Sequence, residues 1–224
     1  MNSKKIAAER AVASVADGMI VGLGTGSTAY WAIEAIGRRV QAGLRIQAVA
    51  TSRASEEQAS GLGIPLLPWS SIDRIDLTID GADEVDGDLQ LVKGGGGALL
   101  REKIVAFASE RLIIIVDDTK VVTQLGQFPL PVEVVPFAWE MTNRHIQALG
   151  CRSSLRMRDN SVYVSDNGNY ILDCQFEWIQ HAAELHKQLN LIPGVVENGL
   201  FISLASTLII GYEDGHCEVR QASN

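Results

Sequence analysis

The chain is short of basic charge: 19 Lys and Arg face 27 Asp and Glu in 224 residues, a formal net charge of −8 with a pI near 5.0. No block of lysines or arginines interrupts that balance. The surplus needed to wrap a phosphodiester backbone is therefore missing, and nucleic acid is not an expected partner. A net negative field also repels small anions, so any phosphate site must be built locally from backbone N–H groups and a few lysines. Cysteine is equally scarce. Cys151, Cys174 and Cys217 are odd in number, far apart and never in a C-x-x-C arrangement, which excludes a disulfide framework or a zinc knuckle and suits a reducing compartment. Long apolar runs are absent too, since Leu112 to Val116 falls far short of the ~20 residues a membrane-spanning helix needs. At the N-terminus Glu9 and Arg10 interrupt Ile6-Ala7-Ala8 before a secretion signal could form. The expectation is a soluble, cytoplasmic protein that meets no membrane. His145, His181, His186 and His216 are scattered, with no H-E-x-x-H or triad context, and take no catalytic role.

What remains is an ordinary globular composition, 46% hydrophobic and 21% charged, long enough for one large domain or for ~150 residues plus a smaller partner. Apolar periodicity predicts a helix over 3–16, a strand over 19–23, a helix over 27–41 and a strand over 44–50, which together make a βαβ unit. A helix over 53–61, strands over 75–79 and 112–116, and a helix over 97–110 continue the alternation. This is the signature of an α/β fold, a mainly parallel sheet with helices on both faces. Beyond Phe128-Pro129-Leu130-Pro131 the pattern changes. A strand over 132–135, a helix over 137–149, a strand over 152–157, a turn at Asp166-Asn167-Gly168-Asn169, a strand over 170–172, a helix over 178–189 and a strand near 200–203 follow β-α-β-β-α-β order. The expected domains are thus 1–128 with 205–224, and a smaller α+β, ferredoxin-like domain over 129–204. Segments 207–212 and 217–220 are expected to return to the first sheet as edge strands.

Three stretches carry chemistry. Gly22-Leu23-Gly24-Thr25-Gly26-Ser27-Thr28 joins a strand to a helix, where free N–H groups and the positive end of the helix dipole favour an anion. Thr25, Ser27 and Thr28 add hydroxyl donors. Ser27 occupies the last glycine position of G-x-G-x-x-G, and the second strand ends in Thr51-Ser52 rather than an acid, which disfavours a dinucleotide. The plain alternative is a tight turn with Ser27 as helix cap. Thr78-Ile79-Asp80-Gly81-Ala82-Asp83-Glu84-Val85-Asp86 places acids at a strand's C-terminal end, where open α/β sheets hold ligands. Asp80 and Asp83 there could hold sugar hydroxyls or relay protons, or simply form a solvated turn.

Lys93-Gly94-Gly95-Gly96-Gly97-Ala98-Leu99-Leu100-Arg101-Glu102-Lys103-Ile104 is the most informative stretch. Consecutive glycines are entropically expensive and point to a backbone used as a binding surface. Lys93 supplies a point charge beside it, and Glu102, early in the following helix, is a candidate base. The competing reading makes Arg101, Glu102 and Lys103 the exposed stripe of an amphipathic helix. Lys120, after the strand over 112–116, is a second phosphate candidate.

GLGTGST at 22–28, TSRASEEQA at 51–59, TIDGADEVD at 78–86 and KGGGGALLREKI at 93–104 together resemble the ribose-5-phosphate isomerase type A family. The resemblance continues through LGQFPLPVEVVP at 125–136, DNGNYILD at 166–173 and IPGVVENGLF at 192–201. It implies a Rossmann-like domain plus an α+β domain, self-assembly into a homodimer or tetramer, and no metal or nucleotide cofactor. It also implies interconversion of D-ribose 5-phosphate and D-ribulose 5-phosphate in the non-oxidative branch of the pentose phosphate pathway. Carried over by position, the substrate-binding residues are Thr25, Gly26, Ser27 and Thr28, then Asp80, Gly81, Ala82 and Asp83, then Lys93, Gly94, Gly95 and Gly96, and Lys120. Glu102 falls on the catalytic base, with Asp80, Asp83 and Lys93 assisting. One departure is Leu204-Ala205-Ser206-Thr207, where the family often has an Ala-Asp pair. Two other readings remain: a phosphosugar sensor without chemistry, and an enzyme forming a Schiff base on Lys93.

Overall fold

The computed structural model describes residues 2–222. In chain order its helices are α1 (Ser3–Val12), α2 (Ser27–Gln41), α3 (Arg53–Gly61), α4 (Leu99–Phe107), α5 (Trp139–Gln147) and α6 (Ala182–Asn190). The strands are β1 (Ile20–Leu23), β2 (Gln47–Ala50), β3 (Leu77–Asp80), β4 (Glu84–Val85), β5 (Leu91–Val92), β6 (Leu112–Asp117), β7 (Leu130–Val134) and β8 (Arg152–Leu155). They continue as β9 (Met157–Arg158), β10 (Ser161–Val162), β11 (Tyr170–Gln175), β12 (Val195–Asn198), β13 (Leu200–Phe201), β14 (Thr207–Gly211) and β15 (Cys217–Gln221). The chain forms two compact units, one of residues 1–82, 101–121 and 203–224, the other of 83–100 and 122–202. None of the described helices is long and apolar enough to cross a membrane.

The first unit is the expected α/β layer, a six-stranded sheet in the order β15-β14-β6-β3-β1-β2. All neighbours are parallel except β14 and β15. Every residue of β6 is buried, as a strand covered on both faces requires. Ala7, Ala8, Ala11 and Val12 of α1 and Ala32, Ile33 and Ile36 of α2 pack with Val21, Leu23, Leu77, Ile79 and Ile115 of the sheet. Each such aliphatic side chain contributes roughly 1.5–3 kcal/mol. The helix expected over 3–16 stops at Val12, because Ser14 and Val15 bond back to Ala11 and Val12 and Arg39 donates to the carbonyls of Val12 and Val15. Segment 207–212 returns to this sheet, but β14 lies between β6 and β15, so that of these two strands β15 alone is at an edge. Ser206, at the departure from the family pattern, is satisfied locally: its N–H and hydroxyl both donate to the Leu112 carbonyl, at 2.9 and 3.0 Å.

The second unit contains an antiparallel sheet in the order β12-β7-β11-β8, joined as β7-α5-β8-β11-α6-β12, which is the ferredoxin-like arrangement. Its closing strand is β12, not the expected 200–203. Asn198 ends β12 with its side-chain amide held by Asn190 and His186, and Gly199 then turns the chain, so Leu200 and Phe201 pair with β5 instead. That pairing builds a three-stranded sheet of β13, β5 and β4. Residues 83–100 and 122–128, expected with the first domain, accordingly cluster in this unit. The helix expected from Trp178 begins at Ala182, since Ile179 N–H is drawn to the Leu125 carbonyl at 2.8 Å. The Asp166–Asn169 turn is stapled to β7 by buried Glu133, whose Oε1 accepts from Ser165, Asn167 and Asn169.

Glu84, on β4, is 3% exposed and accepts N–H bonds from Gly126 at 2.7 Å and Phe128 at 2.6 Å. Charge-assisted bonds to buried groups are each worth about 1.5–3 kcal/mol. Glu84→Ala is expected to lower the urea-unfolding free energy by about 2–4 kcal/mol; an unchanged midpoint would refute the anchoring role.

Candidate functional site

In the first unit, β1 and β3 are neighbours whose connections leave in opposite directions across the sheet, to β2 on one side and β6 on the other. Open parallel sheets hold ligands at the carboxyl ends of the strands at such a switch point. Asp80 ends β3 there and is 1% exposed. Its Oδ1 accepts Thr25 N–H at 3.0 Å and Gly81 N–H at 2.8 Å. This close approach requires a glycine at 24, where a Cβ would lie 2.1 Å from Asp80 Oδ1 and 2.6 Å from its Cα. Gly26 then adopts φ +105°, a conformation that other residues resist, and α2 starts at Ser27 with Gly26 as its cap. Ser27 is therefore not the helix cap.

The Thr25 hydroxyl is turned into the structure. Its oxygen lies 2.7 Å from Thr51 Oγ1, 2.8 Å from Ser52 Oγ and 3.1 Å from Ser55 Oγ. Ser55 in turn donates to the Gly24 carbonyl at 2.6 Å. The hydroxyls of the 51–55 segment thus hold the glycine loop in shape, a purpose the sequence left unassigned. Ser27 and Thr28 are the loop's other hydroxyl residues, and a Cβ on Gly81 would touch Thr28 Cβ at 3.9 Å, so the two loops are in contact.

Lys4 is a residue that sequence reasoning missed. On the first turn of α1, its Nζ donates to Ser27 Oγ at 2.9 Å and lies 3.9 Å from Asp117 Oδ2. No motif marks it, because the contact spans 23 positions and depends on α1 packing beside α2. Lys120 lies in the short 3₁₀ turn after β6, which Asp117 caps by accepting Thr119 N–H at 3.1 Å. Glu102, in the first turn of α4, is 4% exposed, whereas Ile104 is 53% exposed. That burial overturns the exposed-stripe reading of Arg101-Glu102-Lys103.

The second unit carries Asp83, Lys93 and the glycine run. Lys93 is 2% exposed, and its ammonium sits 5.4 Å from the Phe201 ring centroid, a favourable cation–π separation. Its N–H donates to the Gly199 carbonyl at 2.9 Å. Asp83 Oδ2 accepts Gly95 N–H at 2.7 Å. Gly95 and Gly96 are exposed, and the helix expected from Gly97 starts at Leu99. Asp86 closes its own turn, accepting from Asp88 and Gln90, and burial raises its carboxyl above the usual carboxylate range. Burial likewise raises the Tyr163 phenol, which therefore stays protonated at neutral pH.

Known proteins resemble this chain over most of its length. The model of the family described as ribose 5-phosphate isomerase A (phosphoriboisomerase A) matches residues 47–215. A ribose-5-phosphate isomerase A of Bacillus mycoides (strain KBAB4) is 55% identical over 216 residues, covering 96% of this chain and 98% of that protein. The structure of a ribose 5-phosphate isomerase A from Neisseria gonorrhoeae superposes with a TM-score of 0.91 at 41% identity, covering 99% of this chain and 96% of the other. A D-ribose-5-phosphate isomerase solved in complex with phospho-erythronic acid gives a TM-score of 0.95 at 38% identity, covering 99% of this chain and all of the other.

An ammonium held at the Ser27 hydroxyl would meet any phosphate bound at the start of α2. Lys4→Ala is expected to weaken binding of inorganic phosphate by roughly 3- to 10-fold, read by calorimetric titration; affinity equal to the parent chain's would remove Lys4 from the site.

Proposed function

The chain belongs to the ribose 5-phosphate isomerase A family and interconverts ribose 5-phosphate and ribulose 5-phosphate, and we propose that it does so by proton transfer through an enediolate with Glu102 as base. The observation that carries this reading is burial. Glu102 and Lys93 are 4% and 2% exposed in an acidic chain, where charged side chains are seldom hidden without a purpose.

In the open-chain aldose, the Glu102 carboxylate takes the C2 proton while the electron pair moves to the carbonyl oxygen on C1. The carboxylic acid then returns the proton to C1 as the ketose carbonyl forms at C2. A carbon acid is far weaker than a carboxylic acid of pKa ~4.3, so the developing oxyanion must be stabilised in the transition state. Lys93 and the backbone donors of Gly94 and Gly96 are assigned that task, Gly95 N–H being held by Asp83. Asp80 and Asp83 move the hydroxyl protons, one of them assisting furanose opening, with Gly81 and Ala82 shaping the turn that presents them. Gly26, Ser27, Thr28, Lys4 and Lys120 hold the phosphate, and Thr25 shapes their loop. Binding remote from the reacting carbons then orients the open chain. The relative in complex with phospho-erythronic acid, a sugar-acid phosphate, supports a phosphosugar ligand for this chain.

We further propose self-association into a homodimer or tetramer. Phe137, Trp178 and Leu191, large apolar residues 87%, 63% and 81% exposed, support an interface on the second unit. A cytoplasmic location is proposed from the free thiols of all the described cysteines.

Glu102→Gln is expected to lower turnover of ribose 5-phosphate by roughly 10³-fold or more while still binding the sugar phosphate, with the parent chain active in EDTA. Turnover retained in the variant would dismiss Glu102 as the base, and activity abolished by EDTA would dismiss the metal-free reading. In light scattering after size exclusion, a particle of 24.2 kDa would count against self-association.

A further inference from the structure

Arg156 lies between β8 and β9, with its side chain 13% exposed. Its main chain is fixed on both sides: its N–H donates to the Ile171 carbonyl at 2.8 Å and its carbonyl accepts Tyr163 N–H at 2.9 Å. The guanidinium makes a two-pronged pair with Asp173 of β11, Nε to Oδ2 at 3.0 Å and Nη2 to Oδ1. The remaining nitrogen, Nη1, donates to the Gly94 carbonyl at 2.8 Å and the Gly95 carbonyl at 3.2 Å. Two successive carbonyls of the glycine run are thereby turned toward one cation.

The consequence follows from peptide geometry. No peptide among the described residues is cis, and in a trans peptide the N–H points opposite to the C=O. The N–H groups of Gly95 and Gly96 therefore face away from Arg156. Gly95 N–H is taken by Asp83 Oδ2 on that other side, which leaves Gly96 N–H as the second donor turned away from Arg156. The turn is closed from within as well, Gly97 N–H donating to the Gly94 carbonyl at 2.9 Å, and Arg156 adds a hold on the Gly95 carbonyl, in a run whose peptide planes otherwise rotate easily. Arginine suits this where lysine does not, because a planar fork of five donors can hold a carboxylate and two carbonyls at once.

We propose that Arg156, locked by Asp173, is a positioning residue for the isomerisation, holding the Gly94 and Gly95 carbonyls so that the Gly96 N–H near Lys93 is presented to the developing oxyanion. The inference rests on the reading that the Lys93–Gly96 loop acts on substrate.

The test is steady-state kinetics of Arg156→Lys, Arg156→Ala and Asp173→Asn beside the parent chain and Lys93→Ala, with a thermal melt of each. Donors aimed at a charge that exists only in the transition state affect kcat rather than KM. Arg156→Lys and Asp173→Asn are expected to lower kcat about 10- to 100-fold, with KM and inhibition by inorganic phosphate changed less than about threefold. Added guanidinium should restore part of kcat to Arg156→Ala, a response that a purely structural loss would not give. If Arg156→Ala does not fold, the two conservative variants carry the test. A kcat within about twofold of the parent chain's in both, or a loss that only follows the unfolded fraction, would overturn the role of Arg156. Should Lys93→Ala turn over normally, the reading of the loop falls and this inference with it. Lys93→Ala inactive beside normal conservative variants overturns the Arg156 role alone.

Discussion

A buried carboxylate that accepts backbone N–H groups is the constraint on which the first unit's ligand loops depend. Asp80 sits at the end of a fully buried strand and takes the N–H groups of Thr25 and Gly81 on a single oxygen. It thereby joins the loop after β1 to the loop after β3. The joint works only because residue 24 lacks a Cβ and because the hydroxyls of Thr51, Ser52 and Ser55 hold the Thr25 side chain from behind. Shift either support and the start of α2, where a phosphate would be held, shifts with it.

The same device recurs through the acidic motif. Asp83 holds Gly95 N–H, Glu84 holds those of Gly126 and Phe128, and Asp86 holds those of Asp88 and Gln90. A run of carboxylates that reads as a solvated turn is thus a series of anchors, each organising a different piece of backbone. For Asp80 and Asp83, anchoring and proton handling are compatible, since a carboxylate has several lone-pair sites to share between a loop and a ligand. Glu84, buried with both oxygens engaged by the 126–128 segment, belongs to architecture.

Glycine and arginine divide the work in the second unit. The glycine run supplies a backbone that a ligand can approach closely, at the expense of a defined orientation. The Gly94–Gly97 turn bond and Asp83 supply part of that orientation, and the Arg156–Asp173 pair adds to it from a different part of the chain, 62 positions from Gly94. In the role proposed for Arg156, preorganisation comes from residues that never meet the substrate.

From the sequence alone the α/β class, the β-α-β-β-α-β order of the second part and the loops proposed to carry the site were all legible. Periodicity, glycine spacing and acids at strand ends are local properties, written in consecutive residues. The limits of α2 and α3 were read to the residue for the same reason. Other features were not local. The closing strand of the antiparallel sheet is Val195–Asn198 because Asn198 is captured by α6 and Gly199 redirects the chain, neither of which periodicity registers. Glu102 could not be told from a surface charge until its burial was known, since i to i+4 spacing does not say which side of a helix is covered. Lys4 and Arg156 left no motif at all: each reaches its partners across a long stretch of sequence. The sequence determined where the glycine loops and strand-end acids stand and which chemistry-bearing residues they offer. Tertiary packing alone decided which distant side chains orient them, because a hydrogen bond depends on where atoms meet and not on how far apart their residues stand in the chain.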